Sequence, residues 1–580
     1  MTNFISQADA LLGAGRIDDA RRLYTKAIQA GKQADVAHFR LASLAYSGGH
    51  LQDSVIHLQN AIAIRPQNAE YHYTLGSILR ATGDRAQAEA IYRKALTCEP
   101  SHANSWIALG LIAKEKGNLK EAESHQREAL RWAPDSFPAW LNLGNTLLTQ
   151  GRIEEAASSY HEALRLNPQS WQAQNHLGKA LVKCGQVREA LPHFQQARQL
   201  APREFEPAFG LGLCLFELER FNEATPYLNT AAALLPSVKN AALLIDYACF
   251  RLKAGDFQRG WDLYETRLES TEGRHAYPFP RWEGGSLAAK TLLISCEQGL
   301  GDEIMFASLL PELIAEAAHC IVECDTRLAT LFRRSFPGST VFPVNRTTTP
   351  HEKQLALFHA LPDLPTPDVW SPSGSLPRFK RRAISDFPNH SGYLKPDPDK
   401  VWSWRERLDT LGSGLRIGLS WQGGTAATDT GMRSIPLNQL SPLLVVPNVH
   451  WVSLQYTDCH EELRVFRQLS GITVHHWPEA IDDYDQTAAL VSALDLVISV
   501  CTAVVHLGGA LGQTVWVMVP YVAEWRYGHE GSSMPWYPSV RLFRQPAPHA
   551  WEPVIAELQR ELGEFITASS SQRTSRSAPE

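Results

Sequence analysis

The chain has 580 residues, 44% of them apolar and 20% charged, with a formal net charge of -6 and a pI near 6.4. That length exceeds what one hydrophobic core serves, so two or more domains are expected. The acidic balance offers no basic field to a nucleic acid and no polybasic signal to a membrane surface, and nine scattered Cys do not form a disulfide framework.

At the N-terminus, Met1-Thr2-Asn3-Phe4 lacks the charged segment and apolar run of a signal peptide. No apolar run approaches the roughly 18 residues of a membrane helix, so no integral membrane segment is expected. Cys320 and Cys324 are the closest Cys pair, and with no second Cys or His pair they read as packed thiols rather than a zinc site. A reducing cytoplasmic location is the simplest expectation.

Pro66, Pro100, Pro134, Pro168, Pro202 and Pro236 recur every 34 residues. Leu75-Gly76, Leu109-Gly110, Leu143-Gly144, Leu177-Gly178 and Leu211-Gly212 keep the same spacing, as do two columns of Ala and a column of Gly from Gly49 to Gly185. Each column has a physical reason. The Leu-Gly glycine and the alanines let paired helices approach closely. The later glycine ends the first helix of a hairpin in a left-handed conformation. The proline stops the second helix before the next repeat begins. Aromatic residues such as Trp106, Trp140, Tyr92 and Tyr160 fill the gaps between helices. This register resembles the tetratricopeptide repeat column by column. It implies an α-solenoid over 1–272, with seven repeats and a degenerate eighth carrying Trp261 and Tyr264, that offers a concave groove to a protein or peptide. A spacer or dimerisation arm is the plainer alternative.

Pro278, Pro280 and Gly284-Gly285 mark a linker over 273–290. Beyond it the pattern alternates. Strands are expected at 291–296, 320–324 and 340–344, with helices at 303–318 and 327–336 between them. A Pro-rich stretch from Pro362 to Pro398 reads as loose. Strands resume at 415–421, 450–455, 472–475, 494–500 and 514–519, with helices at 437–445, 461–469, 485–493 and 503–511. Such alternation implies parallel sheets covered on both faces. The expected fold is therefore α/β after the solenoid, in two Rossmann-like lobes at 291–395 and 396–565, with a disordered tail at 566–580.

Ligands of open α/β sheets sit beyond the carboxyl ends of the strands, so four loops matter. Gln298-Gly299-Leu300-Gly301-Asp302 follows a strand and opens a helix. Its glycines allow close backbone approach, and Asp302 either projects a carboxylate into a cleft or caps the helix. Ser420-Trp421-Gln422-Gly423-Gly424, with Arg433 downstream, suits a diphosphate, and the plainer alternative is that Arg433 is a surface residue. Val500-Cys501-Thr502-Ala503 opens a helix whose N-terminus is a ready anion site, with His506 one turn on, either in the site or packed in the core. Lastly, Tyr521 to Tyr537 holds Trp525, Arg526, Trp536 and Tyr537, which either stack on a sugar or base or form a packed loop under the solenoid's cap.

On Gly301-Asp302, Arg433-Ser434-Ile435-Pro436 and the run from Ser499 to Gly512, the second half resembles the GT-B glycosyltransferases of the heptosyltransferase type (glycosyltransferase family 9-like). The resemblance implies a metal-independent GT-B enzyme without a cofactor that takes a nucleotide-sugar. It casts Asp302 as the base on the acceptor hydroxyl, Arg433 as a phosphate contact, and Thr502, Ala503 and His506 as the donor-facing helix start. Gly299, Gly301, Gly423, Gly424, Gln455 and Cys501 would line the donor site. The chain departs from that family at Cys501, where the family carries a donor-contacting Asp. The expectation is a glycosyltransferase whose solenoid recruits the acceptor. The rivals are a scaffold with a silent GT-B half and a peptide-binding module with a nucleotide-sensing domain.

Overall fold

Phe4 to Tyr264 forms sixteen helices among the described residues, paired into hairpins such as Ala103–Glu115 with Leu119–Trp132 and Phe137–Thr149 with Ile153–Leu166. The computed structural model describes residues 4–235, 241–270, 277–345, 365–423 and 433–576. The turn glycines take the left-handed conformation that ends each first helix, for example Gly117 at φ +81° and Gly151 at φ +77°. The Leu-Gly glycines admit an aromatic ring from the second helix. A Cβ on Gly144 would lie 2.5 Å from Tyr160 Cε1. Trp106 Nε1 donates to Pro100 O at 2.9 Å and Trp140 Nε1 to Pro134 O at 2.8 Å, which pins each first helix to the repeat before it. First helices of neighbouring hairpins approach one another more closely than second helices do, so they line the inner face.

By packing, the chain divides into two compact units. One holds Met1–Lys183 with Arg188–Pro202, the other Cys184–Val187 with Arg203–Glu580. The last helical hairpins therefore share a core with the α/β region. In that second unit Trp261 is fully buried, and its Nε1 donates to Arg381 O at 2.8 Å.

The α/β region holds two sheets. The first contains β1 Thr291–Ser295, β2 His319–Asp325, β3 Ser339–Val344 and β4 Val369–Pro372 in the order β3-β2-β1-β4, all parallel. The second contains β5 Leu415–Ser420, β6 Val449–Ser453, β7 Val474–His475, β8 Leu496–Val500, β9 Val515–Val519, β10 Ser533–Met534 and β11 Tyr537–Arg544. Its order is β10-β11-β9-β8-β5-β6-β7, parallel except for the β10 hairpin. Both orders are those of doubly wound sheets, whose winding reverses beside the first strand. The central strands are buried on both faces. Leu292 and Ile294 face one cluster while Leu293 joins Tyr277, Ile321 and Phe342 in another. Leu496 and Ile498 face one side of the second sheet and Val497 the other.

Several elements differ from expectation. The helix over 303–318 starts earlier and breaks into Leu300–Phe306, a 3-10 turn and Leu310–Glu316, with Pro311 in the first turn of the last piece. The loose stretch contains β4, a four-residue strand that pairs with β1, and Pro398–Asp409 is a helix capped by Asp397, whose side chain accepts from Asp399 N and Lys400 N. The helix Trp551–Arg576 enters the expected disordered tail as far as Arg576, and its one proline, Pro553, sits in the first turn, where no backbone hydrogen bond is lost. Cys320 and Cys324 are buried thiols on β2, each pushed up to about 12 by burial. Among the described residues no helix is long and apolar enough to cross a membrane.

Candidate functional site

The second sheet reverses its winding between β5 and β8, which pair through Ser420 and Ser499. Beyond them lies the crevice where ligands of such sheets bind. The chain leaves β5 through Trp421 and Gln422, whose amides donate to Gln455 Oε1 at 3.3 and 3.1 Å. Gln455 Nε2 donates to Gln422 O and to Thr457 Oγ1, both at 3.1 Å. Gln455 is fully buried, so it shapes the loop from below rather than facing a donor. Gly423 then passes tightly over the start of the next helix. A Cβ there would lie 2.8 Å from Thr502 Cγ2 and 3.2 Å from Cys501 O. Gly424 lies outside the described residues.

Thr502 caps the helix Ala503–Ala510, its Oγ1 accepting from Val504 N at 3.3 Å. Val505 N donates to Thr502 O at 3.1 Å, and this helix start lies just beyond the carboxyl end of β8, where such sheets place their crevice. Cys501 is buried beneath, its thiol 3.8 Å from Met518 O and pushed up to about 11 by burial, so it stays protonated near neutrality. His506, one turn into the helix, is buried with Nδ1 3.1 Å from Tyr537 Oη. Burial, then the charge of Arg526, holds it well below its ordinary range. It is a neutral, packed histidine, and its expected place facing the donor is corrected accordingly.

The loop after β1 meets this helix. A Cβ on Gly301 would lie 3.0 Å from His506 Cδ2 and 3.5 Å from Ala503 Cα, so only glycine lets the two helix starts approach this closely. Gln298 adopts φ +64°, uncommon for a residue with a side chain, and exchanges hydrogen bonds with Tyr264 Oη. Asp302 does both things the sequence left open. Its Oδ2 accepts from Gly299 N at 3.3 Å as a helix cap. Its Oδ1 accepts from Arg526 Nη2 at 2.6 Å.

Arg526 also pairs with Glu524, and Glu524 pairs with Arg433. Asp302, Arg526, Glu524 and Arg433 thus form a row of alternating charge with no net charge. Sequence reasoning missed Glu524. Its signal was its place two residues before Arg526, in a loop read only for its aromatics.

Those aromatics are packing elements. Trp525 meets Trp261 edge to face at 5.4 Å. Trp536 is buried against Phe387 and Phe306 at 5.0 and 6.0 Å. Tyr537 is fully buried over Gly509. The expectation that Trp536 and Tyr537 present faces to a sugar is therefore wrong, because both lie inside the core. The loop is the packed one that the sequence allowed as the alternative.

The first sheet has its own reversal, between β1 and β4, and the protein fills it. Glu297 is buried there, accepting from Arg267 Nη2 at 2.6 Å, Arg267 Nε at 2.9 Å and Gly374 N at 2.7 Å. Ser375 Oγ accepts from Arg267 and Arg281 at 2.9 and 3.1 Å. Neither Arg267 nor Glu297 stood out in the sequence, since their pairing spans 30 residues. The mouth of the second sheet is thus the better candidate for a ligand.

Comparison with known proteins supports the repeats. The tetratricopeptide repeat family matches residues 137–170, and a second description of the same repeat matches 5–69, 73–137 and 177–238. Protein FlbA of Caulobacter vibrioides is 33% identical over 330 residues, covering 55% of this chain and 55% of FlbA. The chain thus spans about half the length of this curated relative. Among solved structures, YrrB, described as a tetratricopeptide protein with an unusual peptide-binding site, is 23% identical over 31% of this chain and 92% of its own, at a TM-score of 0.28. PilF of Pseudomonas aeruginosa is 21% identical over 36% of this chain and 94% of its own, at a TM-score of 0.33. The matched segments between residues 5 and 238 are tetratricopeptide repeats.

Proposed function

We propose that the chain is a glycosyltransferase of GT-B arrangement that moves a sugar from a nucleotide-sugar to a hydroxyl with inversion, its repeats recruiting a protein or surface-polymer acceptor. The observation that carries this reading is the meeting, at the mouth of the second sheet, of a helix start at Thr502, two arginines and the carboxylate of Asp302. In this reading Asp302 takes the proton of the acceptor hydroxyl while its oxygen attacks the anomeric carbon. The bond from that carbon to the nucleotide breaks on the opposite side. Arg433, Arg526 and the amides at Ala503 stabilise the charge that grows on the leaving phosphate. Gly423 keeps the floor of the crevice low enough for a phosphate to lie against the backbone.

A second reading, a binding scaffold whose α/β half is silent, draws on two observations. Asp302 is already engaged by Arg526, and Cys501 is a buried neutral thiol where the resembled family has an acid. Calorimetric titration of nucleotide-sugars into the full chain separates the two. A donor is expected to bind, and Arg433→Ala to weaken it about tenfold through loss of a charged phosphate contact. If no nucleotide-sugar binds, the enzyme reading falls and the scaffold stands.

A further inference from the structure

Two columns of the repeat meet at the seam between the helices of each hairpin. Residues 38, 72, 106, 140 and 174 recur every 34 residues on first helices, and residues 57, 91, 125, 159 and 193 on second helices. In the later repeats the first-helix member turns back to a proline carbonyl six residues earlier. His72 Nε2 meets Pro66 O at 2.8 Å, Trp106 Nε1 donates to Pro100 O at 2.9 Å and Trp140 Nε1 to Pro134 O at 2.8 Å. The second-helix histidines of this column have other partners too. His125 Nε2 lies 3.4 Å from Glu121, and His193 Nδ1 lies 2.7 Å from Gln174 Oε1. The hairpin of Ala34–Ser47 and Leu51–Ile64 departs from this arrangement. His38 and His57 turn toward each other, and their Nδ1 atoms stand 3.0 Å apart.

That spacing is the bite of a chelate. Two metal–nitrogen bonds of about 2.1 Å at a right angle set their nitrogens about 3.0 Å apart. Both rings are half-buried at the seam, so the helices hold them while one edge stays open to water. Burial holds both imidazoles below their ordinary range, with His57 adding to the effect on His38 and Asp53 opposing it on His57. Both are therefore neutral near pH 7. One ring now donates its Nδ1 proton to the other. Moving that proton to its own Nε2 turns both Nδ1 lone pairs inward, with no net loss of charge or proton. Asp53 lies one turn before His57 on the same helix face and is exposed, a carboxylate that balances part of an incoming positive charge. No third His, Cys, Asp or Glu completes a metal-holding group among the described residues, so water fills the remaining positions.

We propose that His38 and His57 form a two-imidazole site for one divalent transition cation of the zinc or copper class, which clips the two helices of this hairpin together. Imidazole nitrogen selects these ions over magnesium and calcium, which take oxygen ligands. The site lies at the seam of a single hairpin and stands apart from the chemistry proposed for the crevice. Because the two nitrogens converge only when the hairpin is folded, the bound cation stabilises the folded repeats.

The test is calorimetric titration of zinc chloride into the full chain after treatment with a chelator, paired with thermal unfolding with and without zinc. The wild type is expected to bind zinc and to unfold at a higher temperature in its presence, and magnesium chloride to do neither. His38→Gln and His57→Gln should each weaken zinc binding about tenfold or more, the scale set by loss of even a supporting partner of a metal ligand. Both should also abolish the thermal shift. His161→Gln should change neither reading, since its ring stands 6.1 Å edge-on from His193, whose Nδ1 is committed to Gln174. Electron paramagnetic resonance of the copper-loaded chain should show one more nitrogen ligand in the wild type than in either variant. Circular dichroism verifies that each variant is folded. If one unfolds, the other and the copper spectra carry the test. Zinc affinity and thermal shift unchanged in the folded variants would mean an imidazole–imidazole hydrogen bond only, and would overturn the site. An equal response to magnesium, or no zinc binding by the wild type, also overturns it.

Discussion

Glu524 stands between two arginines that a phosphorylated ligand would want. Without it, Arg433 would lose this carboxylate and Arg526 would keep only Asp302. Replacing it with glutamine removes the competing anion and keeps the shape. Glu524→Gln is therefore expected to tighten binding of inorganic pyrophosphate several-fold in calorimetry, whereas a looser or unchanged affinity would mean that the row of charges is not the anion site. Glu323 gives a second prediction at this scale. It is buried on β2 with Tyr277 Oη donating to it at 3.0 Å, and burial pushes its carboxyl from 4.5 up to about 7. The folded chain thus binds a proton that the unfolded chain has released over that interval, so stability falls as pH rises from about 4.5 to 7. Glu323→Gln still accepts from Tyr277 and has no such penalty. It is expected to gain about 1 to 3 kcal/mol over the wild type at pH 8 and little at pH 4, as read by urea unfolding at both values.

At the scale of elements, the hairpins depend on glycines that give way to rings. Gly144→Ala drives a Cβ to 2.5 Å from the buried Tyr160 ring, an overpacking that costs roughly 1 to 3 kcal/mol. Thermal unfolding is expected to show the loss, while Gly13→Ala, where nothing lies within 4 Å of the added carbon, leaves the midpoint nearly unchanged or higher. This regularity is why the solenoid was legible. A fixed period of 34 residues puts the same steric demand on the same column again and again. The central strands of both sheets were legible too, as short apolar runs buried on both faces. The elements that escaped draw their stability from distant partners. Strand β4 has four residues and ends in proline, and it exists because β1 offers it a parallel edge. Strand β11 begins at Tyr537, in a loop whose aromatic content suggested an open ligand face. At the site, glycines and helix starts could be placed from strand-loop-helix order. The pairings Asp302–Arg526 and Arg267–Glu297 could not, since no local pattern links residues so far apart in the chain.

At the scale of the whole molecule, a repeat array known for presenting a surface precedes an α/β region with a charged crevice. The aromatic joint at Trp261 ties the last helical hairpin to that region, through Trp525, Trp536 and the carbonyl of Arg381. Chemistry at the crevice and recruitment along the repeats are separable claims, and the chemical one is the more exposed to refutation. It is tested most directly by incubating the full chain with a panel of nucleotide-sugars and measuring release of the free nucleotide, for the wild type and for Asp302→Ala. Release from at least one donor by the wild type is expected, with a loss of about a hundredfold or more in Asp302→Ala, the scale of removing a general base. Release by Asp302→Ala at the wild-type rate, or no release from any donor by either protein, would contradict it.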